Sequence, residues 1–236
     1  MKKLGIFIRK ITIPPVFALV LLFSVCIKNL NDIEVILIND GSTDSSLQII
    51  KQYAEKYSNI KYKTKENEGQ AIARNIGIQM AIGEFICFVD SDDYIENTML
   101  EKLYKNAIKN NSDIVICDYV EEYRNKNIEK KSLFINAENI HKSYIVSVAG
   151  PCSKIIKSDI FKQNNIKFLK NNIYEDLAII PTLALYTQNI SYCGEILYHY
   201  VIRNNSTMQQ IKYTKKLESI FTVMDFLYEQ FNRKRL

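Results

Sequence analysis

The sequence predicts an α/β fold in which a mostly parallel sheet carries helices on both faces, followed by a short helical C-terminal tail. Three observations predict it. Short apolar runs of strand length, rich in β-branched and aromatic residues, recur as IEVILIND (33–40), GEFICFVD (83–90) and DIVICDY (113–119), as expected of strands covered on both faces. Segments with apolar residues at helical spacing lie between them, and that alternation argues for a parallel sheet. Carboxylates gather where the apolar runs stop, at Asp40 and at Asp90, Asp92 and Asp93. In such sheets ligands bind outside the carboxyl ends of the strands.

Each element has its own signal. After the first strand, DGSTDSS supplies turn and N-cap chemistry. Leu47, Ile50, Ala54 and Tyr57 then follow at helical spacing. NIKYKTKE (59–66) reads as a short, partly alternating strand. A helix is expected from Gly69 through Met80, with Ala71, Ile72, Ile76 and Met80 on its apolar side. NTMLEKLYKNAIKN (97–110) predicts a second amphipathic helix, and EEYRNKNIEKKS a polar, solvated connection. From about residue 206 the tail is charged and helical in pattern, with Leu217, Ile220, Phe221, Met224, Leu227 and Tyr228 spaced for one helix.

The bulk numbers exclude several classes. At 236 residues the chain has ample length for a core. Its net charge of +5 comes from Lys and Arg spread along the chain, so no nucleic-acid groove is expected. Modest attraction to phosphate-bearing ligands or to a lipid surface fits that charge. The five cysteines are odd in number and form no CxxC pair, which reads as reduced, buried thiols of a cytosolic protein. The basic MKKLGIFIRK precedes an uncharged run over 11–27 that Pro14 and Pro15 interrupt. That run is at the short edge of what a spanning helix needs. A buried strand followed by a core helix suits it best, with a signal peptide or membrane anchor as the alternatives.

Within EFICFVDSDDYIEN (84–97), crowding three carboxylates into the four positions 90–93 needs a reason, because two of them about 4 Å apart repel by roughly 4 kcal/mol at an effective dielectric near 20. A hard divalent cation supplies one. Mg²⁺ typically takes one or two protein carboxylates and completes its shell with substrate phosphates. The competing reading is a solvated loop whose acids cap the next helix, Asp93 among them. An EF-hand fails because the glycine at loop position 6 is missing.

INDGSTDSS, ENEGQAIARNIGI and FICFVDSDD, in that order and spacing, resemble the family 2 glycosyltransferases of GT-A fold. CSKIIKSDIF, IKFLKNNIYEDLAIIPTLAL and LYHYVIRNNSTM resemble the capsule and lipopolysaccharide branch of that family. The resemblance spans roughly residues 31–210 and divides the chain into a divergent N-terminal strand and apolar helix (1–30), a GT-A domain (31–205) and a helical tail (206–236). It implies an inverting, metal-dependent transfer from a UDP-sugar to a lipid-linked or surface glycan by a cytoplasmic protein at the inner membrane face. Asp40 and Arg74 would meet the nucleotide, and Arg203 would close over the diphosphate. Asp90 would touch the ribose or the metal through water, and Asp92 would bind Mg²⁺ or Mn²⁺ directly. Asp176 would be the base that takes the acceptor proton, with Glu175 beside it orienting a group or holding the loop. His199 reads equally as a packed ring or a ligand, Lys154 as a surface lysine with a phosphate contact as the alternative, and His141 carries no signal.

The pattern also breaks. The family opens on a strand ending Pro-Val-Tyr-Asn, where this chain has Pro15, Val16, Phe17 and Ala18. A divergent helix, an added anchor or a damaged N-terminus would each account for that. The alternative function is a non-catalytic nucleotide-sugar or glycan-binding remnant. A sugar nucleotidyltransferase would carry a Gly-rich basic loop after its first strand, which is missing here, and a glycosidase needs opposed carboxylates across the scissile bond.

Overall fold

The computed structural model describes residues 19–25, 33–132, 139–147, 150–202 and 213–234. Its strands are β1 (Leu19–Val25), β2 (Ile33–Asp40), β3 (Ile60–Lys65), β4 (Phe85–Asp90), β5 (Tyr94–Ile95), β6 (Ile114–Tyr123), β7 (Lys126–Lys130), β8 (Lys154–Lys157) and β9 (Ile190–Val201). The helices are α1 (Ser46–Lys56), α2 (Gln70–Met80), α3 (Met99–Asn110), α4 (Ile140–Ile145), α5 (Ser158–Gln163), α6 (Glu175–Leu183) and α7 (Tyr213–Lys234). All strands join one sheet in the order β3-β2-β1-β4-β8-β6-β9-β5, with β7 paired to β6.

Side-chain alternation along the strands divides the core in two. Ile36, Ile38, Ile86, Phe88, Ile114, Ile116 and Ile156 face one side, where α2, α4, α5, α6 and α7 pack. Val35, Leu37, Phe85, Cys87, Val89, Val115, Cys117 and Ile155 face the other, where α1 and α3 lie. A sheet buried on both faces needs apolar residues at successive positions, and the runs read from the sequence supply them.

Strand direction is less uniform than expected. β2 pairs parallel with β3, and β6 with β9. β1 lies antiparallel between β2 and β4, and β8 lies antiparallel between β4 and β6. Thus β2, β3, β4, β6 and β9 share one direction, and two reversed strands are interleaved among them. A reversed strand needs no helical crossover to its neighbours, which is why the helix-strand alternation gave no sign of it. The residues 19–25, expected within a core helix, form β1 instead; the other residues of the 11–27 run lie outside those described. The connection expected after residue 119 is instead a hairpin: β6 continues to Tyr123 and turns through Arg124 and Asn125 into β7. Its alternating residues satisfy the ladder with one face in water, so polarity alone misread it.

Interleaving leaves the functional edge intact. Asp40 ends β2 and Asp90 ends β4, both on the carboxyl side. Because β8 runs the other way, its first residue, Lys154, falls at that same edge.

Candidate active site

The first layer of the site is a loop system. Gly41 follows β2 with φ +79°, and a Cβ there would meet the Asn67 backbone nitrogen at 2.7 Å. Glycine is needed on both counts. Asp40 is 1% exposed, and its oxygens accept from the backbone N–H groups of Glu68 (3.0 Å) and Gly69 (2.8 Å) and from Lys65. Its carboxylate is therefore turned to the loop that launches α2.

From α2 comes Arg74, expected to meet the nucleotide. It is 3% exposed and reaches two carboxylates at once. Nη1 donates to Glu175 Oε1 at 2.6 Å and Nη2 to Asp90 Oδ1 at 3.0 Å. The guanidinium also lies over the Phe168 ring, 5.4 Å from its centre. Burial works against its charge, but Asp90 and Glu175 outweigh that and hold its pKa above the ordinary value. Its Nε and the Glu175 Oε2 are buried atoms without a protein partner.

Helix α6 brings the YEDL acids into its own first turn, where acidic side chains are favoured by the helix dipole. Glu175 is 1% exposed and accepts from both Arg74 and the Gln70 amide, 2.6 Å away. It ties α6 to α2. Asp176 is half-buried. Burial pushes its carboxyl above the ordinary range, with the Arg74 charge pulling back. So Asp90, Arg74 and Glu175 are joined directly, and Asp176 stands within the same field.

The acidic tip divides its labour. Asp93 caps no helix; Thr98 stands at the N-cap of α3 without a side-chain cap bond. Asp93 is buried, accepting from the Tyr198 hydroxyl at 2.5 Å and the Val201 N–H at 2.9 Å, and burial pushes it up to about 8, with Asp90 adding to the rise. Tyr198 also accepts from the Asp90 N–H at 3.3 Å. This leaves Asp90 and Asp92, both partly exposed, as the acids that face outward. Among the described residues no three His, Cys, Asp or Glu side chains are grouped to enclose a metal ion. An oxygen-only pair suits an ion that draws its other ligands from phosphates.

Other expectations move. Lys154, read as a surface lysine, is 2% exposed; its place on the inward face of β8 overrides the residue's usual habit. His199 lies flat on Tyr94, ring centres 4.2 Å apart, with its nitrogens on Glu122 (2.9 Å) and Glu96 (3.0 Å). It packs the β5–β9 seam. His141 touches the Thr187 carbonyl at 3.3 Å. Arg203 lies outside the described residues. Sequence reading missed Gln70, Phe168 and Tyr198; only Gln70 left a trace, one helical turn before Arg74 on the same face.

A family model described as Glycosyl transferase family 2 matches residues 18–174. The chain belongs to that family. It is 30% identical to the cholesterol galactosyltransferase of Borreliella burgdorferi, over 86% of this chain and 61% of the relative. It is 32% identical to the poly(ribitol-phosphate) beta-glucosyltransferase of Bacillus spizizenii, over 77% of this chain and 29% of the relative. Among solved structures, S. aureus TarS 1–349 in complex with UDP aligns with a TM-score of 0.68 at 25% identity, covering 84% of this chain and 56% of TarS. TarS 1–349 with UDP-GlcNAc gives 0.67 at 26% identity, covering 82% and 57%. The GT-A-type fold is thus shared, and the chain spans about three-fifths of the first relative's length.

Proposed function

We propose that this family 2 chain transfers a sugar, with inversion, from a UDP-sugar to a glycan or lipid-linked acceptor. The observation that carries the reading is the buried Asp90–Arg74–Glu175 network at the carboxyl edge of the sheet, with Asp176 beside it. The UDP and UDP-GlcNAc held by TarS support the donor class, and the surface polymer named for the Bacillus relative supports the acceptor class.

Asp176 takes the proton from the acceptor hydroxyl. Burial raises its pKa against the pull of Arg74, which makes it a stronger base than an ordinary aspartate. Glu175 and Arg74 do not move protons. They fix α6 against α2, and so fix Asp176 relative to the donor. Asp90 and Asp92 would hold Mg²⁺ or Mn²⁺. When bound, the ion offsets the charge of the departing diphosphate, so the leaving group needs no acid. Asp92→Ala and Asp176→Asn are each expected to abolish UDP release from a panel of UDP-sugars supplied with Mn²⁺ and acceptor. Near wild-type turnover in either variant would overturn the assignment.

A second reading has one observation of its own. The carboxylate of Asp40 is committed to backbone N–H groups and Lys65, and the opening Pro-Val-Tyr-Asn motif is altered. Both suit a nucleotide-sugar-binding remnant. Calorimetric binding of UDP without release from any donor would favour it.

A further inference from the structure

Lys154 is a charged group buried where an apolar one would cost less. Its ammonium donates to the carbonyls of Gly150 and, at 2.8 Å, Cys152, four and two residues earlier in its own chain. Burying a cation costs several kcal/mol even after relaxation, so the clasp is an expensive way to close a four-residue loop. The loop it closes is unusual. Ser153 sits at φ +56°, a strained region for a residue with a side chain. The Ser153 carbonyl accepts the Cys117 N–H at 2.9 Å, and the hydroxyls of Ser153 and Ser132 lie 3.2 Å apart. Cys152 packs against both core layers, so the loop occupies the seam where the two faces of the sheet meet.

That seam lies under the site. Cys152 lies within the fields of Asp90 and Arg74 and close to Tyr198, whose hydroxyl holds Asp93 and the Asp90 N–H. Burial disfavours the charge of the ammonium, and the Asp176 carboxylate, the proposed base, favours it; the nearby thiols of Cys87, Cys117 and Cys152 are kept neutral by burial.

We propose that Lys154 is a positioning residue: by drawing the Gly150 and Cys152 carbonyls together it fixes the loop 150–153 as the floor of the site between Asp90 and Asp176. The clasp stands on geometry alone, while its bearing on transfer rests on the function proposed above.

Lys154→Met keeps the length and the packing of the stem and removes the clasp. Hydrogen exchange at neutral pH is expected to show the amides of residues 150–157 losing protection at least tenfold in the variant, with β2 unchanged. Turnover is expected to fall by about 10²-fold, the scale of a misplaced reacting group, with the donor KM unaltered. Unchanged loop protection would overturn the clasp, and a rise in donor KM with turnover kept would overturn its link to Asp176. If Asp176→Asn proves fully active, the assignment of Asp176 as the base fails while the exchange result still judges the clasp. Should the variant not fold, limited acetylation of the wild-type protein decides. Lys154 is expected to be protected relative to Lys131, and acetylation at the rate of that exposed lysine overturns the proposal.

Discussion

Single residues set the chemistry here through burial more than through identity. Arg74 serves two carboxylates from a site almost closed to water, so it cannot be removed quietly. Arg74→Met leaves Glu175 charged and buried without its partner. Losing one member of such a pair costs about 3–5 kcal/mol, and urea unfolding should show that loss even where UDP still binds. Lys154 is the opposite case, a cation whose burial pushes its pKa down to about 8. The folded amine therefore gives up its proton sooner than the unfolded one. The penalty of burying its charge is fully present below pH 8 and is relieved as the pH rises from there toward the ordinary value of 10.5. Relative to Lys154→Met, the wild-type protein should gain on the order of 2–3 kcal/mol across that interval, as read from denaturant melts at several pH values. For Asp176 the sign reverses in function. With Asp176 as the proposed base, transfer needs its ionised carboxylate, so the acid limb of the turnover profile should lie above the ordinary aspartate range.

Among the elements, the turn after β2 is where the backbone is least forgiving. Gly41→Ala forces a left-handed φ and a contact at 2.7 Å with Asn67. A cost of about 1–3 kcal/mol is expected from the strain, together with looser exchange at Glu68 and Gly69, whose N–H groups Asp40 holds. This turn was plain in DGSTDSS, as was α2, ending at Met80. Those features are local: a glycine and a periodicity each announce themselves within a few residues. What stayed hidden depends on partners far away in sequence. The reversal of β8 is decided by β4 and β6. The burial of Lys154 follows from that reversal, and the fate of Asp93 from Tyr198, 105 residues on. Residue type pointed to Asp90, Asp92 and Asp93, and the family resemblance to Asp176; only the assembled sheet separates the tip acids that face outward from Asp93, which holds the frame.

At the scale of the whole molecule, α6 is supported from behind. Helix α7 lays Val223, Phe226 and Leu227 against the core layer that includes Ala178, Ile179 and Leu183 of α6, and the Asn172 amide donates to the Ser219 carbonyl at 3.1 Å. Val223, 1% exposed, is the centre of that contact. Val223→Asp should detach α7 and increase exchange along residues 175–183. Turnover should drop although no site residue has changed. The tail and α6 then behave as one unit, and a change in α7 that leaves α6 exchange untouched would separate them.

The reversed β1 has a consequence for how the chain must be assembled. It fills the gap between β2 and β4, pairing along both of its sides, and no neighbouring helix can substitute for its ladder bonds. A polypeptide beginning after residue 25 would present two naked strand borders facing each other across an empty lane. Borders of that kind recruit other chains, so such a truncation should run as aggregates on a sizing column rather than as a smaller monomer. A synthetic peptide spanning residues 19–25, added during refolding, should return it to solution.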